Sequence, residues 1–573
     1  MNCGTSALRQ CALANLERDN HGHPDFPLAV SARNNYPDLC LFLLLHGADP
    51  NRAMGGTGVT PVLISAQQGH ADVLRVLLDV EVAVDCRTMT GSTPLIEAAD
   101  RGYQDVCELL LNAQADVHAT DNEGRTPLAA AAHSGCVKLV RTLLDNQARV
   151  ADTPASAADP IVVAARAGHE AVVQLLLHAE LFRLRGGRGG SNGGGGGGGD
   201  GDGGGGDGNA LGGRLGAESR LAGQLEGTAV YWAARKGHLP IVRLLVGKWA
   251  HIGPDHVAAA GMTGLMAASE RGHTAIVKAL LNAGASPHTV NDSGASGMHL
   301  AAQEGHAAIV QLLLNAGARP GDPDFDGITP LISASVHQHN NVVRALLQAG
   351  ADPNQSFRNG TTPILIAAQS GVADLVRILI HAGANVDLCG ADGVTPIFMA
   401  ALKEHMAALR LLIAAGAGVD AAADNGWTPL FAVCYKHGSA QVMRLLLAAG
   451  GATEARSHEN ETVLHVAGRR GLASCTRALL DAGAHVDAAD TEGNTALLNA
   501  SRAGHYEVVA LLLGAGADIN ASGPWGTAMQ EAAGQKDKTA AAMLETLVKK
   551  SAKRARQKTR KKEEAALKAA ATS

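Results

Sequence analysis

Residues 362–394 read TPILIAAQSGVADLVRILIHAGANVDLCGADGV, and Thr395-Pro396 starts the same pattern again 33 residues after Thr362-Pro363. Threonine before proline suits a helix start. The hydroxyl can cap a free N–H, and proline in the first turn gives up only an N–H that the helix leaves unpaired. The short Ala-rich run at Ala367-Ala368 predicts a helix whose small side chains let neighbouring segments approach closely. Gly371 supplies a turn that a β-carbon would hinder. A second apolar-periodic run predicts a second helix, closed at Gly383-Ala384 in the manner of a glycine C-cap. The polar segment that follows, with its glycine and aspartate, predicts a turn reaching the next copy.

Outward from this stretch the period persists. Thr-Pro recurs at Thr60, Thr93, Thr126, Thr329, Thr362, Thr395 and Thr428, and degraded copies stand in phase at Phe26, Asp159, Thr228, Thr263, Ser296, Thr462, Thr495 and Thr527. That makes fifteen units. A glycine follows each phase residue by about nine positions, often with histidine after it, as at Gly69-His70, Gly168-His169, Gly237-His238, Gly272-His273, Gly305-His306 and Gly504-His505. The second run carries apolar residues at helical spacing, as in Val73, Val76 and Leu77 or Ile309, Leu312 and Leu313. One such unit cannot bury its apolar faces alone, whereas stacked units build a continuous core. The expected fold is therefore all-α with short β-hairpin loops, a solenoid of about fifteen stacked helix-turn-helix units.

The pattern resembles the ankyrin-repeat family, which the elements at Thr126-Pro127-Leu128, His465 and Gly516-Ala517-Asp518 match residue by residue. The resemblance implies an L-shaped stack with a concave wall of helices beside hairpin fingertips, and protein binding as its work. The expected organisation is a capping segment over 1–21, repeats 1–5 over 22–185, a glycine-rich flexible insert over 186–227, repeats 6–15 over 228–550 and a basic tail over 551–573.

Composition sets the remaining bounds. Apolar residues make up 46% of the chain but aromatics only 3%, so the core must be filled by aliphatic side chains. The net charge is −6; Lys549 to the end carries +8, leaving −14 elsewhere, an acidic body with a basic tail. Nine cysteines without C-x-x-C spacing read as reduced thiols of an intracellular protein, cytoplasmic or nuclear. No signal peptide and no stretch long enough to span a membrane is expected.

The sequence offers no catalytic chemistry. Walker, H-E-x-x-H and nucleophile-elbow motifs are missing, and nearly every residue is committed to a repeat. The Gly-His histidines recur once per unit, about 10 Å apart on the inter-sheet scale, too far to share a metal with bonds near 2 Å. They are read as turn-stabilising, and no cofactor or metal is expected.

Binding residues are sought four, seven and eight positions after the phase residue, where the sequence varies most. Leu300, Ile366 and Met399 give an apolar centre; Arg235, Lys236, Lys436, Arg469 and Arg470 give a charged margin, the anatomy of an interface. Trp232, Trp427 and Tyr435 are added because aromatics are scarce here and frequent as hot spots. The expected partner is one or more proteins, bound by a monomeric scaffold. The alternative is nucleic acid, met by Arg185–Gly190 and by the tail cations Lys549, Lys550, Lys553, Arg554, Arg556, Arg560, Lys561 and Lys562. Those tail cations also fit a nuclear-import signal or an acidic partner.

Overall fold

The computed structural model describes residues 27–54, 58–150, 158–186, 228–248, 254–436, 438–533, 545, 546, 549, 550 and 553. Among these residues stand fourteen complete helix pairs and the first helix of a fifteenth, in the phase read from the sequence. The chain forms two compact units, 1–292 with repeats 1–7 and 293–573 with repeats 8–15. Within each unit, first helices pack on first helices and second on second.

Each marker has a structural cause. Thr60, Thr93, Thr126, Thr263, Thr329, Thr362, Thr395 and Thr495 accept a hydrogen bond from the N–H three residues on, with proline or a small residue entering the first turn. At the end of the second helix the Gly284 N–H donates to Leu281 O and the Ala285 N–H to Leu280 O, a Schellman closure with Gly284 at φ +89°. Between the helices lies a dry aliphatic layer: Leu63, Leu74 and Leu77 in repeat 2 and Ile309, Val310 and Leu313 in repeat 8 are fully buried.

The hairpin fingertips are slighter than the family pattern implies. Among the described residues only Ser522–Gly523 and Gly526–Thr527 pair as strands; elsewhere single bridges such as Arg456–Thr462 and Ala489–Thr495 close the loop. Adjacent fingertips are tied backbone to backbone, as where Asp424 N–H donates to Asp392 O and His458 N–H to Asn425 O. One sequence boundary shifts: Gly186, expected in the insert, ends a helix that runs from Glu170 through 17 residues, about twice its counterparts. The rest of the insert and the segment 1–21 lie outside the described residues. So do Arg554, Arg556, Arg560, Lys561 and Lys562; Lys549, Lys550 and Lys553 are helical and exposed, with Lys549 3.1 Å from Glu545.

The repeats on either side of the insert stack directly. The His238 ring bonds Arg166 O at 3.3 Å, and the Arg166 guanidinium lies 5.6 Å from the centroid of Trp232.

At Asp159 a carboxylate replaces the capping threonine, accepting from the Ile161 and Val162 N–H groups at 2.8 and 3.2 Å while 1% exposed. Burial dominates those bonds and pushes its pKa up to about 6. The folded state therefore holds this proton more tightly than the unfolded one. Its stabilising contribution is complete below about pH 4 and is lost as pH rises through 6. A shift of about two units is roughly 3 kcal/mol between the two protonation states, and threonine gives up one of two charged bonds. Asp159→Thr is expected to stabilise the chain by about 1 kcal/mol at pH 7.5 and to lose that advantage at pH 4, read by urea unfolding at both values.

Candidate functional site

The Gly-His histidines turn out to be joints between repeats, as where His169 bonds His133 O at 2.9 Å and His273 bonds Arg235 O at 3.3 Å. His405 and His339 act in the same way although Glu404 and Gln338 precede them. His405 Nε2 bonds Gln369 O of the preceding repeat at 3.1 Å, His339 bonds Gln303 O at 2.9 Å, and His505 bonds Arg469 O at 3.1 Å. Each ring lies on the preceding repeat's glycine: a β-carbon at Gly371 would stand 2.5 Å from His405, at Gly305 2.6 Å from His339, and at Gly471 2.5 Å from His505. Glycine is thus needed twice, for the positive φ and for the ring of the next repeat. Gln338 and Glu404 hold the same left-handed conformation without glycine, and the repeats after them carry Val372 and Ser439 in place of histidine. Asn35 is the exception, since His70 follows; that ring reaches Ala32 O through Nδ1 instead of Nε2. The turn role expected of these histidines is real, but their partner is the neighbouring repeat. Among the described residues no cluster of His, Cys, Asp or Glu could hold a metal, and no helix is long and apolar enough to cross a membrane.

The fourth position after the phase residue behaves unevenly. In repeats 7, 12 and 13 it is buried, at Ala267, Ala432 and Val466. In repeats 8 to 11 it is half-exposed four times running, at Leu300, Ser333, Ile366 and Met399. Val336, 51% exposed, and the half-buried Leu402 widen this stripe three positions further along their helices.

Next along the second unit stand the aromatics. Trp427 packs on the core cluster of Phe398, Ala423 and Ala432, stacking on Phe431 at 5.9 Å and meeting Tyr435 edge-on at 5.1 Å. Tyr435 is 54% exposed, and the Arg470 guanidinium lies 5.8 Å from its centroid. Lys436 is exposed. Arg469 is committed to the buried Glu461, with nitrogens 2.6 and 3.3 Å from the two carboxylate oxygens. In the first unit Trp232 is flanked by Arg166 and Arg235, Arg235 also donates to the Tyr231 hydroxyl, and Lys236 is exposed.

A family model described as ankyrin repeats in three copies matches residues 28–121, 113–183, 215–291, 265–357, 298–390, 364–456 and 433–523. The chain belongs to the ankyrin-repeat family. Ankyrin repeats are protein-interaction scaffolds, so the half-exposed first-helix stripe lies on a frame of the right kind for binding protein. No curated protein matches the chain. Among solved structures, the ankyrin repeat domain of Bcl-3, described as a unique member of the IkappaB protein family, is similar at 27% identity and a TM-score of 0.36, over 38% of this chain and 99% of that one.

Proposed function

We propose that this ankyrin-repeat chain is a non-catalytic adaptor that holds a segment of a partner protein against the first-helix face of repeats 8–11. The observation that carries the reading is the run of Leu300, Ser333, Ile366 and Met399, half-exposed in four successive repeats where the neighbouring repeats bury the same position. A repeat that buries this side chain commits it to stacking; one that leaves it half-exposed keeps it for a partner, as apolar area at Leu300, Ile366 and Met399 and as a hydroxyl at Ser333. Val336 and Leu402 beside it make a patch, and apolar centres rimmed by charge are how protein interfaces are built.

Ile366→Glu with Met399→Glu is expected to reduce affinity for the captured partner at least about fivefold, since centrally placed apolar anchors carry disproportionate binding energy. Arg344→Glu, on an exposed second-helix position, is expected to leave it unchanged. Partners are isolated by affinity capture with mass spectrometry and their dissociation constants compared, after circular dichroism shows all variants folded. Equal affinity for wild type and the double variant removes the stripe from consideration.

A further inference from the structure

Eight residues after Thr395, Thr428 and Thr462 stand Lys403, Lys436 and Arg470, one cation per repeat at a fixed register. All three are exposed, and none is paired with a carboxylate among the described residues. The contrast with the preceding register is informative. There Arg469 and Arg502 are neutralised by the buried carboxylates of Glu461 and Glu531. In repeats 11–14 counter-ions are thus supplied at one register and withheld at the next, whereas in repeats 3 and 7 the eighth-position Arg101 and Arg271 are paired with Glu97 and Glu270. Arg470 is also held in place, since it donates to Lys436 O at 3.2 Å and lies over the Tyr435 ring.

We propose that Lys403, Lys436 and Arg470 bind an extended acidic peptide whose carboxylates recur every third residue, continuing past the apolar stripe. The inference rests on the reading of that stripe as a partner-binding face. Packed helices lie about 8–10 Å apart, so successive cations fall on that spacing. An extended chain in the polyproline-II conformation advances about 3.1 Å per residue with three residues per turn, so three residues span one repeat and every third side chain returns to the same face. A glutamate at i, i+3 and i+6 meets one cation each, whereas three adjacent glutamates reach only one.

The charges around the row agree. The acidic fingertips carrying Asp392, Asp424 and Glu459 lie at the opposite ends of these helices, about 12 Å away for eight residues of helix. That exceeds the screening length of about 8 Å at physiological salt, so the tips repel an acidic chain without cancelling the row. Glu404 adjoins Lys403, but one of its carboxylate oxygens is buried. Cations at helix C-termini also favour the helix dipole on their own account, so the test must separate binding from stability.

The probes are two fluorescein-labelled ten-residue peptides of Gly, Ser and Ala with three glutamates, spaced at i, i+3, i+6 in one and contiguous in the other. Anisotropy titrations use the full-length chain and Lys403→Gln, Lys436→Gln, Arg470→Gln and the triple variant, with thermal unfolding of each. The spaced peptide is expected to bind at least about fivefold tighter than its isomer at low salt, each single change to weaken it about threefold, and the triple variant to lose the discrimination with its melting temperature unchanged. Equal binding of the two peptides, binding of neither, or changes confined to the melting temperature would overturn the proposal. So would a single-stranded RNA oligomer that binds through these cations while the peptides do not. If Ile366→Glu with Met399→Glu abolishes partner capture and the triple variant does not, this inference fails and the stripe stands.

Discussion

Gly371→Ala is expected to lower stability by about 3 kcal/mol, although it adds one methyl group at the surface of a helix end. Two costs combine. Gly371 sits at φ +74°, a left-handed conformation that costs an L-residue roughly 1–2 kcal/mol. Its new β-carbon would lie 2.5 Å from Cγ and Nδ1 of His405, so the ring must leave. Displacing it breaks the bond to Gln369 O, an exposed bond worth about 0.5–1.5 kcal/mol. The loss falls on the interface between repeats 10 and 11, and stacked repeats draw their stability from such interfaces. Urea unfolding gives the magnitude, and hydrogen exchange is expected to show protection lost first in these two repeats. In a His405→Ala background the same glycine change should cost only about 1 kcal/mol, because only the backbone term remains. Gln338→Gly is the reverse case. Gln338 bears the strain at φ +61° with no ring above it, and glycine there should gain about 1 kcal/mol. An equal cost of Gly371→Ala in both backgrounds would show that the ring contact is not the cause.

The period, the threonine caps and the glycine closures were all legible in the sequence, because each acts within one repeat and leaves a local mark. What crosses from one repeat to the next was not. Gln369 and His405 are 36 residues apart, and nothing in either repeat alone says that a carbonyl and a ring meet. The clue was available in the alternation: Gln338 and Glu404 replace glycine where the following repeat has lost its histidine. Candidate site residues were found by register, which located Leu300, Ile366 and Met399 on one half-exposed stripe. Register could not separate Arg469 from Arg470. One is committed to Glu461 and the other meets no carboxylate among the described residues, a difference set by which way two adjacent side chains leave the same helix. Register also passed over Lys403, whose significance appears only when its exposure and lack of a counter-ion are seen beside Lys436 and Arg470. The fingertips read as hairpins but close mostly through single bridges, since each loop draws its remaining backbone bonds from the next fingertip.

Acidification is expected to destabilise the second unit through two histidines, and replacing them should remove that sensitivity. His465 Nδ1 accepts from the Thr462 N–H at 3.1 Å and the Thr462 hydroxyl at 2.8 Å, while Nε2–H donates to Asn494 O of the next repeat at 2.9 Å. His299 repeats the arrangement with Ser296 at 3.1 and 2.9 Å and with Ile328 O at 3.1 Å. Both nitrogens are thus in use only by the neutral ring, and a proton on Nδ1 would meet donors. Burial lowers the pKa of both below the ordinary 6.5, outweighing the nearby carboxylates Asp324 for His299 and Asp490 for His465. As pH falls below 6.5 the unfolded chain takes up protons that the folded chain refuses. Stability therefore rises with pH in that window; it is full above 6.5 and lost as pH falls toward the folded values. Other repeats place an apolar residue here, Leu365 in repeat 10 and Ile332 in repeat 9, with the threonine hydroxyl capping the helix directly. His299→Ile with His465→Leu should consequently fold, yet at pH 7.5 each change forfeits a buried bond across the repeat interface, about 2 kcal/mol apiece. At pH 5 that deficit should shrink or reverse, because only the wild type pays for keeping its rings neutral. Melting temperatures of the two proteins between pH 5 and 8 decide the matter: converging curves support the account, and parallel ones would mean that these rings do not govern the acid response.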